Sequence, residues 1–560
     1  MAWSRAIVYS VLSARLWSPT NAEYIWPNED IDEVEKILFE GDNPFDGPGS
    51  GFASILGDCH GLIGTPSDPL GRSLGAEWLR NSYHDMATAN VHTGTGGLDA
   101  SIVFEMDRAE NVGQAFQETF DTFKGARNSR ASMADLFAIA TVMALGDCSD
   151  GKVIIPFRGG RVDAVGPGPS GVPEPQQDLA THTESFANQG FNVTEMIALV
   201  ACGHSIGGVH GVDFPTIVPN PPDSGTDNTV TFDTTTDNFD NFVLANLKIL
   251  HISAKEFVAN VSQNPLAFGQ NETTRSDFRI FNADGGDLIS QMAASQDFFL
   301  STCTTMLERM LNTVPRSVKL TDVIKPASVK PRKLFLTVNA DGTLFVNGII
   351  RITDTVLGSS GSQVTIHPVS RLGKPLPIAI GTTKRGFTGG CGFTNCGPDY
   401  TYYEFNTTVS AKDGISSFTV ETKDSSTGKV TTYSNGGAGF PFSDDIQPII
   451  SQSNQTIITI DGTDHLQLNI TAAVLNAEQF TDISLIVPQP SNVTAPISPW
   501  VQDRVSLKPS HKIQGTSFTI YTGTWQSNSA AISHPFDVVA TGPTRTVSSL
   551  FNSWQDIPFV

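Results

Sequence analysis

The chain has 560 residues, 39% hydrophobic and 16% charged, a globular composition longer than one core needs, which excludes a disordered polymer or a long coiled coil. Fifty-seven acids against 35 bases give a formal charge of -22, which excludes broad binding to a phosphate backbone, so no nucleic-acid partner is expected. The acidity is uneven: Met1–Lys330 hold 41 acids and 21 bases, Pro331–Val560 only 16 and 14, so a boundary near residue 330 is visible in charge alone.

In chain order, Arg5, the apolar stretch Ala6 to Ala14 and Thr20-Asn21-Ala22 read as a signal peptide over residues 1–22, with a short apolar stretch that Arg15 ends. From about Asp30 to Arg316 the apolar periodicity is helical: Met133, Leu136, Phe137, Ala140, Met143 and Ala144 recur at helical spacing, and Met196, Leu199 and Val200 begin the same pattern. Beyond Pro331 the period changes to two. Leu334, Leu336 and Val338 alternate, Asp341-Gly342 marks a hairpin turn, and short β-branched runs recur to Phe518–Tyr521. The expected architecture is a mainly α domain over 28–326 followed by an all-β, sandwich-like region over 331–560, as one large or two small domains. With no run of 18 apolar residues, no membrane span is expected. Six cysteines allow three bridges, and seven N-x-[ST] sequons lean modestly towards a secreted, extracellular glycoprotein.

The chemistry-bearing residues cluster in the helical part. Arg80 and His84 stand four apart, on one face of a predicted helix, and Asp85 follows. Gly97-Leu98-Asp99-Ala100-Ser101 comes next, then Glu105 and Asn111. A second histidine lies in Cys202-Gly203-His204-Ser205-Ile206-Gly207, and Asp233-Thr234-Thr235, Phe239-Asp240-Asn241 and Asp284 come after it. Singly, each has an ordinary explanation: a solvated helix face, a core histidine, turns. Together and in this order they resemble the plant and fungal haem peroxidase superfamily, which pairs R-x-x-x-H-D with a later G-H-[ST]-x-G, over roughly residues 55 to 325.

The resemblance implies a haem peroxidase domain over 28–326 that binds haem b and reduces hydrogen peroxide to water through a ferryl intermediate. His204 matches the axial ligand of the iron, and Asp284 the aspartate that accepts its other ring N–H. His84 matches the general base and then acid, Arg80 the group that stabilises charge as the O–O bond breaks. Asn111 would orient His84, Glu105 would support it, and Pro173 and Tyr83 would border the cofactor. Two calcium ions are implied, as in the secreted fungal branch: Asp85, Gly97, Asp99 and Ser101 at the distal site, and Ser205, Asp233, Thr235, Asn238 and Asp240 at the proximal one. Cys59 and Cys148 fall where the family places a disulfide. Cys202 with Cys303 and Cys391 with Cys396 are the remaining pairings, with free buried thiols as the alternative for the former.

Three acids are needed for a fungal manganese site, and only Glu77 fits, with Ser73 and His210 in the other two places. Between Asn28 and Lys330 the only Trp and Tyr are Trp78 and Tyr83, which leaves no surface relay and points to small phenolic or amine reductants at the haem edge. The competing reading is a haem-binding, wall-associated structural protein with little turnover. Polysaccharide is a candidate partner of the C-terminal region through Trp500, Trp525, Tyr400, Tyr402, Tyr403 and Tyr521, with core packing or an interdomain contact as the alternative use of those rings.

Overall fold

A computed structural model describes residues 24–40, 56, 59, 62–65, 68–219, 228–232, 234–245, 264–358, 361–388, 397–491, 493–527 and 535–560. The signal-peptide stretch, Asp233 and the pair Cys391 and Cys396 lie outside the described residues. The first half is helical and the second is made of antiparallel strands, with the change at Val329.

At the centre of the helical part lies α4 (Met133–Cys148), buried on nearly every side, as a helix apolar around its whole circumference must be. Ser132 caps it by accepting the Asp135 N–H at 3.0 Å. Against it packs α2 (Leu74–Met86), capped by Ser73. Ser82 Oγ donates to the Phe137 carbonyl at 2.9 Å, and Thr141 Oγ1 to Ser82 Oγ at 2.7 Å, which fixes the rotation of α2 on the central helix. Around this pair lie α1 (Asp32–Glu40), α3 (Ala115–Phe123), α5 (Leu179–Asn188), α6 (Val193–Gly203), α7 (Ser276–Phe281), α8 (Asp287–Ala294) and α9 (Gln296–Leu311). Disulfides Cys59–Cys148 and Cys202–Cys303 tie the end of α4 to the segment before α2, and α6 to α9. Among the described residues no helix is long and apolar enough to cross a membrane.

The strands form four main sheets. The first orders Val329–Val338, Thr343–Thr353, Tyr400–Ser410 and Thr383–Thr388, with Thr353 opposite Tyr400 and Thr343 opposite Ser410. With the sheet built on Gln363–Val369 and Ser417–Lys423 it encloses one core, around Val346, Ile350, Phe405 and Phe418. The other two sheets, built on Thr463–Leu475 with Phe518–Gln526 and on Asp482–Pro490 with Phe536–Thr541, enclose a second core around Leu468, Leu485, Trp525 and Val538. Ala473, Leu475, Phe518 and Ile520 of the third sheet also enter the first core, which joins the two.

The aromatic rings considered for polysaccharide have other places. Tyr400 and Tyr402 are wholly buried and join the core of the helical domain. Tyr403 lies in the first β core and Trp525 in the second, and Tyr521 packs half-buried against the second core. Trp500 carries the Arg127 guanidinium over its ring at 4.9 Å, across the seam between the two halves of the chain.

That seam is ionic at its centre. Glu35 and Glu40 of α1 are almost fully buried, and strand residue Arg351 reaches both, at 2.6 Å and 2.7 Å. Lys330 adds a bond to Glu35 at 2.7 Å, Arg332 one to Glu40 at 2.8 Å, and the Tyr402 hydroxyl donates to Glu40 at 3.1 Å. Burial pushes the Glu35 carboxyl up, but Arg351 and Lys330 outweigh it and hold the group at about 2.

Candidate active site

Helical spacing puts Arg80 and His84 on one face of α2, and α3 and the loop before it close over that face. His84 Nδ1 lies 2.8 Å from Asn111 Oδ1, and Asn111 Nδ2 donates to the Glu105 carbonyl at 3.0 Å. The second bond fixes the amide orientation, so the Asn111 oxygen faces His84 and the His84 proton sits on Nδ1. Nε2 is then an acceptor. Burial and the neighbouring Arg80 charge push the His84 imidazole down to about 3, so it is neutral and can accept a proton at physiological pH. Arg80 donates to the Val112 carbonyl at 2.9 Å and lies over the Phe116 ring at 4.6 Å. Burial lowers its pKa to about 10, which leaves it charged.

The second histidine follows the C-terminus of α6, whose start is fixed by a capping box of Asn192 and Glu195. His204 Nδ1 lies 2.7 Å from a carboxylate oxygen, and that carboxylate belongs to Asp277. The expectation of Asp284 is corrected here. Asp277 opens α7 on its buried side and also takes the Asn264 amide at 2.9 Å. Asp284, seven residues on, caps α8 through the N–H groups of Gly286, Asp287 and Leu288. A carboxylate on Nδ1 again leaves Nε2 with a lone pair. The Phe232 ring stacks on the imidazole with centroids 4.4 Å apart.

The Peroxidase family model matches residues 66–295, which span this whole arrangement. The helical domain is a peroxidase domain of the plant and fungal superfamily. The chain is also similar to several curated proteins. A WSC domain-containing protein of Arthroderma benhamiae is 35% identical over 422 residues, covering 73% of this chain and 53% of that protein. L-ascorbate peroxidase 5, peroxisomal, of Arabidopsis thaliana is 32% identical over 134 residues, 24% of this chain and 47% of its own. Peroxidase 22.3 of Oryza sativa subsp. japonica is 28% identical over 245 residues, 36% of this chain and 74% of its own. The chain thus spans about half the length of the first two relatives. A peroxidase-type oxidoreductase function follows for the domain.

In the peroxidase domain Asp85 is fully buried and takes the N–H groups of Asp99, Ala100 and Ile102 at 2.7 to 2.9 Å. Burial and the adjacent Asp99 push the Asp85 carboxyl well above the usual range, and burial lifts Asp99 to about 6. The Ser101 N–H donates to Asp99 Oδ1 at 3.1 Å, and its Oγ is buried without a hydrogen-bond partner. Gly97 has φ +115, and a Cβ there would fall 2.7 Å from the Thr313 carbonyl, so the loop demands glycine. Among the described residues no three His, Cys, Asp or Glu side chains form a metal-holding group. Buried like charges beside a serine hydroxyl still fit one hard cation, which would relieve their repulsion. On the other side, Ser205 is buried and donates to the Cys202 carbonyl, while Thr235 Oγ1 donates to Asp240 Oδ1 at 3.1 Å. Asn238 is exposed and bonds back to Thr235 through its N–H. Gly207 takes the Phe232 N–H and gives its own to Thr236, so the two loops are in contact.

Tyr83 turns from the Arg80–His84 face towards α5, stacked on Phe186 at 6.0 Å. Pro173 is half-buried in the segment between α4 and α5. Glu77 pairs with Arg72 at 2.6 Å, and Arg72 also faces Asp213 at 3.6 Å. Sequence reasoning missed Asp277, Asn264, Phe116 and Phe232. Only Asp277 left a signal, as an acid just before the apolar residues Phe278, Ile280 and Phe281.

Proposed function

We propose that this chain is a secreted haem peroxidase that reduces hydrogen peroxide to water and oxidises small phenolic or amine reductants at the haem edge. One observation carries the reading: two histidines each engaged at Nδ1, by Asn111 and by Asp277, so that both present Nε2, with a charged Arg80 beside the first. The donor set fits haem b, which His204 Nε2 would hold. Bound there, haem supplies the redox centre at which peroxide is cleaved and electrons are drawn from the reductant.

The chain's own residues handle protons and charge. Neutral His84 takes one peroxide proton at Nε2 and returns it to the leaving oxygen, which departs as water. Arg80 stabilises the negative charge that builds on that oxygen, in a buried site where a fixed cation counts for most. Asp277 holds the His204 ring and increases its basicity. Asp85, Asp99 and Ser101 would hold one calcium ion, and Ser205, Asp233, Thr235, Asn238 and Asp240 a second. Two disulfides are consistent with export.

Haem titration of the full chain should give one Soret-absorbing equivalent, and peroxide should change its spectrum within the mixing time of a stopped-flow instrument. In His84→Ala that change should slow by about two orders of magnitude or more. Haem binding without a peroxide response would favour the structural reading instead.

A further inference from the structure

His84 stands on α2 and His204 just after α6, and a non-repetitive stretch between α4 and α5 is bonded to the surroundings of both. Its first part is bonded to the His84 side. The Gly168 N–H donates to Glu105 Oε1 at 2.6 Å, and the carbonyl of the same Glu105 takes the Asn111 amide. Arg108 grips the Gly168 and Pro169 carbonyls at 2.7 Å and 3.3 Å and pairs with Glu105 at 3.0 Å. The contact is close: a Cβ on Gly168 would come within 3.0 Å of Ser101 Oγ and 3.1 Å of Glu105 Oε1. Gly171 N–H donates to Glu110 Oε2 at 3.0 Å.

Its last part is bonded to the His204 side. His182 of α5, itself buried, lies 2.9 Å from the Glu174 carbonyl through Nε2. Arg279 donates from one Nη2 to both the Pro175 and Gln177 carbonyls, at 2.7 Å and 2.8 Å. Arg279 lies two residues after Asp277 on the same short helix, α7. A helix of six residues has little stability of its own, so what anchors it decides where Asp277 stands.

We infer that residues 168–177 are a strap that fixes the two histidine environments to each other, with Arg108 and Arg279 as the positioning residues at its ends. The hydrogen-bonded path is unbroken apart from short runs of backbone: His84, Asn111, Glu105, Gly168, the strap, Arg279, α7, Asp277, His204. Freeing the Arg279 end lets α7 drift and lengthens the Asp277–His204 bond. It also slackens the pull on Gly168, and so on the carbonyl that orients Asn111. Releasing Arg108 does the same in the opposite direction. A bond network that only stiffened its own surroundings would show no such crossing. The spectroscopic part rests on the haem reading given above; the strap itself does not.

The test uses the full chain with Arg279→Gln and, separately, Arg108→Gln. Hydrogen exchange without added haem comes first: either substitution should speed exchange about tenfold along the whole of 168–177, including the end left intact. With haem bound, Arg108→Gln should lower the iron–histidine stretching frequency in the ferrous Raman spectrum, although its own contacts are all on the other face. Arg279→Lys, which keeps a donor for the carbonyls, should return both readouts towards wild type, and its folding separates positioning from collapse. Exchange that speeds only at the substituted end, or a stretching frequency untouched by Arg108→Gln, overturns the strap. Failure to bind haem at all would overturn the haem reading, while the exchange result would still decide the strap.

Discussion

His204 could have drawn its partner from two aspartates within eight residues, and the choice has consequences that separate them. Asp277 is buried and holds His204 Nδ1, so Asp277→Asn exchanges a carboxylate for a neutral acceptor and weakens the basicity of the ring. With haem bound, the ferric–ferrous midpoint potential should rise, by about 59 mV for each tenfold change in relative affinity, measured by spectroelectrochemistry. Asp284→Asn should leave the potential unchanged and cost about 1 kcal/mol or less in urea denaturation, since asparagine still caps α8. A potential that moves with Asp284 and not with Asp277 would reverse the assignment. The distal residues were legible because Arg80 and His84 share one helix, where spacing alone fixes geometry. The proximal partner lies across 73 residues of chain, and only packing decides which acid arrives.

The first turns of α2 and α3 bring Glu77 and Glu118 together, with Arg72 on the far side of Glu77. Burial lifts Glu77 to about 7 and Glu118 adds to it, against the pull of Arg72. The folded chain therefore binds a proton near neutral pH that the unfolded chain releases above about 4.5. The sign follows: this pair contributes stability below that range, and the contribution falls as pH rises from about 4.5 to 7. Glu118→Gln removes the like charge. It should raise the melting temperature by about 2 °C at pH 8 and change it little at pH 5, in paired thermal scans. A loss of stability at pH 8 would mean that the glutamates do not repel. At this scale the sequence was readable in period and caps: Ser73 and Ser132 start helices, and the switch from helical to alternating apolar spacing falls where the strands begin. What it hid was pairing between helices, such as Glu118 against Glu77, because charges facing each other on separate elements leave no mark in spacing.

Across the whole molecule, the charge step near residue 330 marks an interface as well as a boundary. Glu35 and Glu40 lie on a helix rich in acids, yet they are buried because Arg351, Lys330 and Arg332 arrive from the strands about three hundred residues later. Part of the excess acid in the first half is thus matched by base in the second, and the β region is welded to the peroxidase domain instead of hanging from it. A buried pair of this kind is strongly destabilising to break and nearly neutral to replace, since the cost comes from stranding a charge. Arg351→Met should therefore lose about 3–5 kcal/mol in urea denaturation, with Glu35 and Glu40 left deprived of their main cation. The triple variant Glu35→Gln, Glu40→Gln, Arg351→Met should recover most of it. The pH dependence carries the same signature: with Glu35 held at about 2, its contribution is complete above the unfolded value near 4.5 and is lost as pH falls through 2. In the triple variant that loss on acidification should be smaller. Equal instability of the single and triple variants would mean that the seam is held by the shape of Arg351 over Tyr400, 4.3 Å from its ring, and not by the charges it pairs.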